Sequence, residues 1–375
     1  MAELKEDKSL EKKIQSLVIR STKVESEFED LIVVPLFAIF AALIIGGLIM
    51  YATAVDVTTI VRSFRALLYG SVGSINAWSE TLTAAIPLVL SGLGLGLGFR
   101  AGLFNIGAEG QLLMGGLAAV IVGFSLQGIP WVIHLPLVLI LGFIIGSLYA
   151  SIAGILKALT GAHEVISTIM LNLISFEFLH WVLRQAWIQR EGRSDPISKS
   201  VLDTAQLPML LEWLGPNYRL HSGLFVMLIA VFIIWWLLFR SKLGFAFRTL
   251  GENPEAANYS GMKTNFLIVL AMCLAGGLAG LGGAVQISGI LERASPGFSA
   301  GIGFDAIAVA LLGRSHPIGI LFAGILFGGL EAGGRQMQID AGVSIDLIGI
   351  IQALIIVFIA APLLVKYIFP WGFRG

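Results

Sequence analysis

The chain has 375 residues, of which 57% are hydrophobic and 13% charged, with 45 glycines and a formal net charge of zero. Ordinary soluble domains carry about 25% charged residues, and one water-soluble core has nowhere to bury this much apolar surface. A soluble enzyme, a nucleic-acid binder and a disordered scaffold are excluded, and an all-α integral membrane protein is expected. The single cysteine, Cys273, lies in an apolar run, which excludes a disulfide framework and a thiol metal site.

Residues 1–30 hold six basic and eight acidic side chains, too long and too acidic a stretch for the basic start of a signal peptide. They read as a cytoplasmic tail ahead of a membrane domain at 31–370. The uncharged run at 32–52 is the first span, and further spans are expected at 81–99, 111–129, 132–156, 165–183, 222–239, 264–286, 317–334 and 347–365. Residues 303–313 are apolar but too short to cross alone. They are expected to form a half-helix lining a cavity, where interrupted backbone is tolerated at membrane depth. Counting that segment gives about ten passages with both termini on one side. With the N-terminus inside, inner segments hold 15 basic residues and outer ones 9, and short loops alone hold 15 against 4. The positive-inside rule therefore places both termini in the cytoplasm.

Two polar stretches interrupt the spans. Residues 184–221 form an extracytoplasmic loop with Trp187 and Trp213 near its ends, where interfacial aromatics belong. In the cytoplasmic loop at 240–263, Asn253 is a helix cap, Pro254 suits the first helical position, Glu255 complements the dipole and Gly261 terminates. A short polar helix on the inner face has no packing reason to exist unless something docks on it.

Several chemistries are absent. No phosphate-binding G-x-x-x-x-G-K-[ST] loop occurs. The alternating glycines of residues 92–98 match dinucleotide-binding glycines only formally, since no strand precedes them, so close helix packing or an unwound helix explains them better. His163-Glu164 opens like a zinc-protease motif, but position 167 is serine, and the five histidines are scattered. No metal or cofactor is expected on this chain.

Ionisable and amide groups at membrane depth are expensive and mark functional candidates. Asn105, Glu109 and Gln111 follow the glycine run, while Glu164, Thr168 and Asn172 recur at intervals of four and share one helix face. Asp305 begins the half-helix. Such groups either bond helices together or line a path, and Glu109 could equally cap a broken helix. Glu331 and Gln336 read as membrane-edge residues. A glycine-rich helix followed by a glycine-punctuated polar turn occurs at 92–111 and again at 276–305, entering from opposite sides as inverted repeats do.

Four stretches carry a resemblance: Gly102-Leu-Phe-Asn-Ile-Gly-Ala-Glu-Gly-Gln-Leu-Leu, Glu164-Val-Ile-Ser-Thr-Ile-Met-Leu-Asn172, Gly251-Glu-Asn-Pro-Glu-Ala-Ala-Asn-Tyr-Ser-Gly261 and Gly303-Phe-Asp-Ala-Ile-Ala-Val-Ala-Leu-Leu-Gly313. Together they resemble the permeases of ABC importers for branched-chain amino acids and simple sugars, nearest the branch assigned to nucleosides and paired with lipoprotein receptors of the basic-membrane-protein type. The resemblance implies a permease working beside a second, different and shorter permease chain. It implies a separate ATPase with two nucleotide-binding modules, which handles ATP and Mg and docks on Gly251, Asn253, Pro254, Glu255, Ala256, Ala257 and Gly261. It also implies an extracellular substrate-binding lipoprotein. A nucleoside, purine or pyrimidine, is neutral, so Asn105, Glu109, Gln111, Thr168 and Asn172 are the candidates for its polar groups, with Phe99 and Phe104 as faces for the base. Riboflavin or a simple sugar such as ribose is the alternative cargo. A stand-alone secondary transporter or channel coupled through Glu109 and Glu164 is the rival outside this class.

Overall fold

The computed structural model describes residues 34–53, 55–344 and 346–360; the charged tail at 1–30 lies outside them. The helices are α1 (Val34–Ala52), α2 (Val57–Val72), α3 (Ile75–Arg100), α4 (Ala108–Ser125), α5 (Trp131–Thr160), α6 (Glu164–Leu183), α7 (Gly223–Arg240), α8 (Lys242–Glu252), α9 (Pro254–Tyr259), α10 (Thr264–Gln286), α11 (Ile302–Leu312), α12 (Pro317–Ala341) and α13 (Asp346–Ala360). No strand occurs among the described residues. The 184–221 segment is tied by two single antiparallel bridges, Gln189 with Ser198 and Met209 with His221.

Among the described residues, seven helices are long and apolar enough to cross a membrane: α3, α4, α5, α6, α7, α10 with its extension to Leu291, and α12. Three apolar stretches are shorter, Leu36–Ala52, Ile302–Leu312 and Asp346–Ile355. Lipid offers no hydrogen-bond partner, so backbone groups must be paired within each span, and long helices are the solution.

Boundaries differ from the hydropathy reading where polar residues are helical. α3 starts six residues before the expected 81, because Asn76, Ser79 and Glu80 depress hydropathy. Even so, Ser74 caps that end by accepting from the Ala77 N–H at 3.0 Å. α12 likewise runs on to Ala341 through Glu331 and Arg335, an ion pair one turn apart at 3.6 Å. Hydropathy gave no sign of α2, where Arg62 and Arg65 interrupt the apolar residues. That helix buries only one face, with Ser63, Ala66, Leu67 and Gly70 inward.

The described residues divide into two compact units, one holding α1 and α13, the other Arg62–Val343. In the first, α1 packs on α13, and Gly46 admits the Ile351 side chain so closely that a Cβ would stand 2.9 Å from it. In the second, α10 threads between α3, α4 and α5. A Cβ on Gly94 would strike the carbonyl of Ala275, one on Gly115 would strike Gly280, and one on Gly146 would strike the carbonyl of Gly276. Lipid tails are as apolar as leucine, so membrane helices associate through this kind of close backbone contact. The glycines at 92–98 are thus packing positions in a continuous helix, and α3 does not unwind there.

Candidate functional site

α3 ends at Arg100, and the chain reverses through Gly102, whose φ of +73° suits glycine. The Leu103 N–H still bonds back to the Gly98 carbonyl at 2.9 Å, but from Phe104 to Gly107 the N–H groups make no helical bonds, so the buried polar groups there need other partners. Side chains supply them. Asn105 and Gln111 exchange two amide bonds, Asn105 Nδ2 donating to Gln111 Oε1 at 2.9 Å and Gln111 Nε2 to Asn105 Oδ1 at 3.1 Å. The Gly107 N–H also donates to Asn105 Oδ1, at 2.8 Å. From α6, Asn172 Nδ2 donates to the Ile106 carbonyl and Asn172 Oδ1 accepts from the Gly110 N–H, both at 2.9 Å. Thr168 Oγ1 accepts from the Ile106 N–H at 3.2 Å. The third member of that face, Glu164, pairs with Lys157 at 2.8 Å. Asn105, Gln111, Thr168 and Asn172 are all at most 3% exposed, and their bonds go to one another and to backbone.

A second turn leads into α11. α10 widens into a single π-type turn at Ile287–Leu291, and the chain then passes through Glu292, Gly297, Ala300 and Gly301, all at positive φ. Here the N-terminus of α11 abuts that of α4. Gly303 lies against the backbone of Ala108 and Glu109, where any Cβ would collide. The Glu109 carboxylate, 1% exposed, accepts from the Gly303 N–H at 2.7 Å and from the Ser299 hydroxyl. A carboxylate beside free helix N–H groups is favoured by their dipole. Glu109 therefore caps a broken helix, but the helix is α11 and not its own. Sequence reasoning missed Ser299, because nothing in the pattern ties residues 190 positions apart.

At one end of this assembly lie α8 and α9. Asn253 Oδ1 accepts from the Ala256 N–H at 3.0 Å, Pro254 opens α9, Glu255 sits in its first turn, and Gly261 follows at φ +81°. Ala257 is the one buried residue of α9, and Tyr259 is 97% exposed. Glu255 and Ala256 are exposed too. Gly251, at the end of α8, packs directly on the first turn. A Cβ on Gly102 would stand 2.9 Å from Gly251 Cα, and one on Gly251 would strike the Arg100 carbonyl. Arg100 Nε donates to the Ser315 carbonyl at 3.2 Å, and the Arg100 and Arg248 guanidiniums lie 5.9 and 5.5 Å from the Phe239 ring. Beside them, burial and the charge of Arg100 both lower the His316 pKa. Phe99 and Phe104 stack at 5.0 Å, and Phe104 is exposed. Among the described residues no group of His, Cys, Asp or Glu could hold a metal ion.

Long apolar helices, two interrupted ones meeting end to end, and an exposed helix seated on one of the interruptions define a membrane-spanning transport subunit. The chain belongs to the family of permease components of branched-chain amino acid transport systems, which it matches over residues 77–360. It is 39% identical to the guanosine ABC transporter permease protein NupP of Bacillus subtilis, over 90% of this chain and 95% of that one. It is 34% identical to the nucleoside ABC transporter permease protein NupB of Lactococcus lactis, over 90% and 93%. The glucose ABC transporter permease protein TsgB13 of Haloferax volcanii is 35% identical, over 87% and 86%. The same Bacillus and Lactococcus strains contribute more distant matches, the permeases NupQ and NupC, at 27% and 26% identity. No solved structure is a significant match. The protein is thus an ABC importer permease, a multi-pass protein of the plasma membrane, and a transport component rather than an enzyme.

Proposed function

We infer that this chain carries nucleosides into the cell, purine, pyrimidine or both, as one of the two permeases of its importer. The observation that supports the reading is near-full-length similarity to a guanosine and a nucleoside permease. The second permease is a different, shorter chain, as the presence of two such permeases in each of those bacteria supports. The chain crosses the membrane about ten times, with both termini in the cytoplasm. A separate ATPase with two nucleotide-binding modules binds ATP and Mg and docks on the loop at 240–263, through the exposed helix α9. An extracellular lipoprotein delivers substrate at the other face.

The geometry supplies a route for the power stroke. Movement of α9 reaches Gly251, which lies against Arg100 and Gly102. The turn beyond is braced by Asn105, Gln111, Thr168 and Asn172, so it moves as a block and carries Glu109 with it. Through Glu109 the displacement reaches Ser299 and Gly303 at the head of α11. In this reading the four polar residues hold the wall of the path, and Phe99 and Phe104 present its aromatic face.

The test is uptake of radiolabelled guanosine and uridine by cells with and without the gene, with ribose, glucose, riboflavin and free bases as competitors. Loss of uptake on deletion, competed only by nucleosides and abolished by ATP depletion but not by collapse of the membrane potential, is expected. Unchanged nucleoside uptake in cells shown to express the chain would overturn it. A sugar is the second reading, favoured by the similarity to TsgB13, and glucose or ribose competition would then reveal it.

A further inference from the structure

At the end of α3 remote from Arg100, two cavities of about 130 and about 420 Å³ share Glu80, Arg219 and Arg335. Thr83, Gln286 and Glu331 complete the polar wall of the smaller one, and the wide turn at Ile290 and Leu291 closes it. The larger opens past Tyr69 and Asn76. Local departures to a π-type turn are frequent at functional sites.

The charges here balance without closing on each other. Arg219 and Arg335 each approach Glu80 Oε2 at 3.7 Å, and Arg335 approaches Glu331 Oε1 at 3.6 Å. Tight charge-assisted hydrogen bonds are shorter, about 2.7–2.9 Å, so both carboxylates retain room for another donor. Thr83 adds a second, independent observation. It is 3% exposed and lines the smaller cavity, yet its hydroxyl has no partner. Pro87, four residues on, has no N–H to return to the Thr83 carbonyl. Buried polar groups are normally hydrogen-bonded, and an unpaired one calls for an explanation. A network that merely pinned α3, α12 and the 184–221 segment together would explain the ion pairs but not this hydroxyl.

The geometry points to this pair of cavities as the site that receives the nucleoside on the outer side of the permease, which deepens the nucleoside reading and rests on it. Two carboxylates against two guanidiniums suit a ligand that is neutral but rich in hydroxyls. Glu80 and Glu331 accept from the vicinal hydroxyls of the ribose in the smaller chamber. The Thr83 hydroxyl and the Gln286 amide meet its remaining oxygens, and the base lies in the larger chamber against Tyr69. The amides of Asn105, Gln111 and Asn172 are already engaged elsewhere, whereas here the Thr83 hydroxyl has no partner and the carboxylates are held only at 3.6–3.7 Å.

The experiment measures initial rates of uridine and guanosine uptake by cells carrying the intact importer, with the permease level in membranes matched by immunoblot. Thr83→Val keeps the shape and removes a hydroxyl that bonds nothing within the protein, so a structural role leaves it silent. Its KM is expected to rise roughly tenfold at unchanged maximal rate, the loss of about one hydrogen bond to the ligand. Glu331→Gln is expected to raise KM likewise and to narrow the preference for uridine over 2′,3′-dideoxyuridine, which lacks the diol. Unchanged KM and preference in both variants, or a lower maximal rate with unchanged KM, would overturn the site while leaving nucleoside transport intact. A wild-type importer that takes up no nucleoside would overturn the transport reading, and this site with it.

Discussion

The turns at 101–107 and 292–301 do the same job, each returning the chain to the N-terminus of a helix, yet they are held in opposite ways. The first has one residue at positive φ, Gly102, and is clamped by side-chain amides from α4 and α6 and within the turn itself. The second has four at positive φ, two of them non-glycine, Glu292 and Ala300. Such conformations cost free energy and persist only where the surroundings enforce them. Its first half is enforced by the 184–221 segment, with Ser198 and Ala294 exchanging bonds and the Val201 N–H donating to the Glu292 carbonyl at 2.8 Å. Its second half, from Gly297 to Gly303, leans on α4 through Glu109. One turn is a braced strut, and the other is a strained segment pinned at two places. An alternating-access cycle would move the second and transmit through the first.

The harshest way to break this comparison is at the contact between the two turns. Gly303→Ala drives a methyl into the backbone of Ala108 and Glu109, which cannot step aside as a side chain would. A destabilisation of about 3 kcal/mol is expected, read as loss of monodisperse protein on size exclusion in detergent. Gly297→Ala meets no atom within 4 Å and suffers only its φ of +71°, so about 1 kcal/mol is expected there. Equal losses in the two variants would mean that backbone contact does not join the turns.

Milder changes separate strut from pinned segment. Asn172→Ala strands the Gly110 N–H and the Ile106 carbonyl, at a cost of about 2–4 kcal/mol. Glu109→Gln removes the charge facing the α11 N-terminus, and about 2 kcal/mol is expected. Thermal unfolding in detergent reads the totals, and amide hydrogen exchange reads the location. Asn172→Ala should loosen 102–110, and Glu109→Gln should loosen 297–303. If Glu109→Gln loosened 102–110 more, the first turn would not be the braced one.

Much of this layout can be read from the chain. The seven long apolar helices follow from hydropathy, the half-helix at 302–312 from its length, and α9 from the sequence Asn253-Pro254-Glu255. The interrupted helices follow from glycines beside buried amides. What stayed hidden is the choice of partner. Asn105 and Gln111 are six residues apart and satisfy each other, a pairing that depends on the path of a turn no periodicity encodes. Glu109 reaches Ser299, and Gly251 reaches Gly102, only once the helices are packed. α2 escaped because its arginines lower hydropathy while its inward face stays small. Thr83 carried one faint signal, the proline four residues later, which could have marked an unpaired carbonyl inside an otherwise regular helix.

The gentlest perturbation is acid, and it acts on the pinned turn through the 184–221 segment. His221, in the 184–221 segment ahead of α7, is 1% exposed, and its ring is enclosed by Gly223 and by Gly289 of the wide turn. The Gly223 N–H donates to His221 Nδ1 at 3.2 Å, so that nitrogen carries no proton. Burial first, and the charge of Arg219 second, bring its pKa from 6.5 down to about 4. The unfolded chain takes up a proton below about pH 6.5 that the folded chain refuses. The contribution of His221 is therefore intact above that pH and is lost as pH falls toward about 4. The expected loss is on the order of 1 kcal/mol at about pH 5.5. Melting of the detergent-solubilised protein between about pH 7 and pH 4.5 should show this fall, and His221→Asn should flatten it. Because the ring abuts Gly289, acid should loosen 287–294 while 102–110 holds. Loosening of both turns together would mean that they form one cooperative body rather than a strut and a moving part.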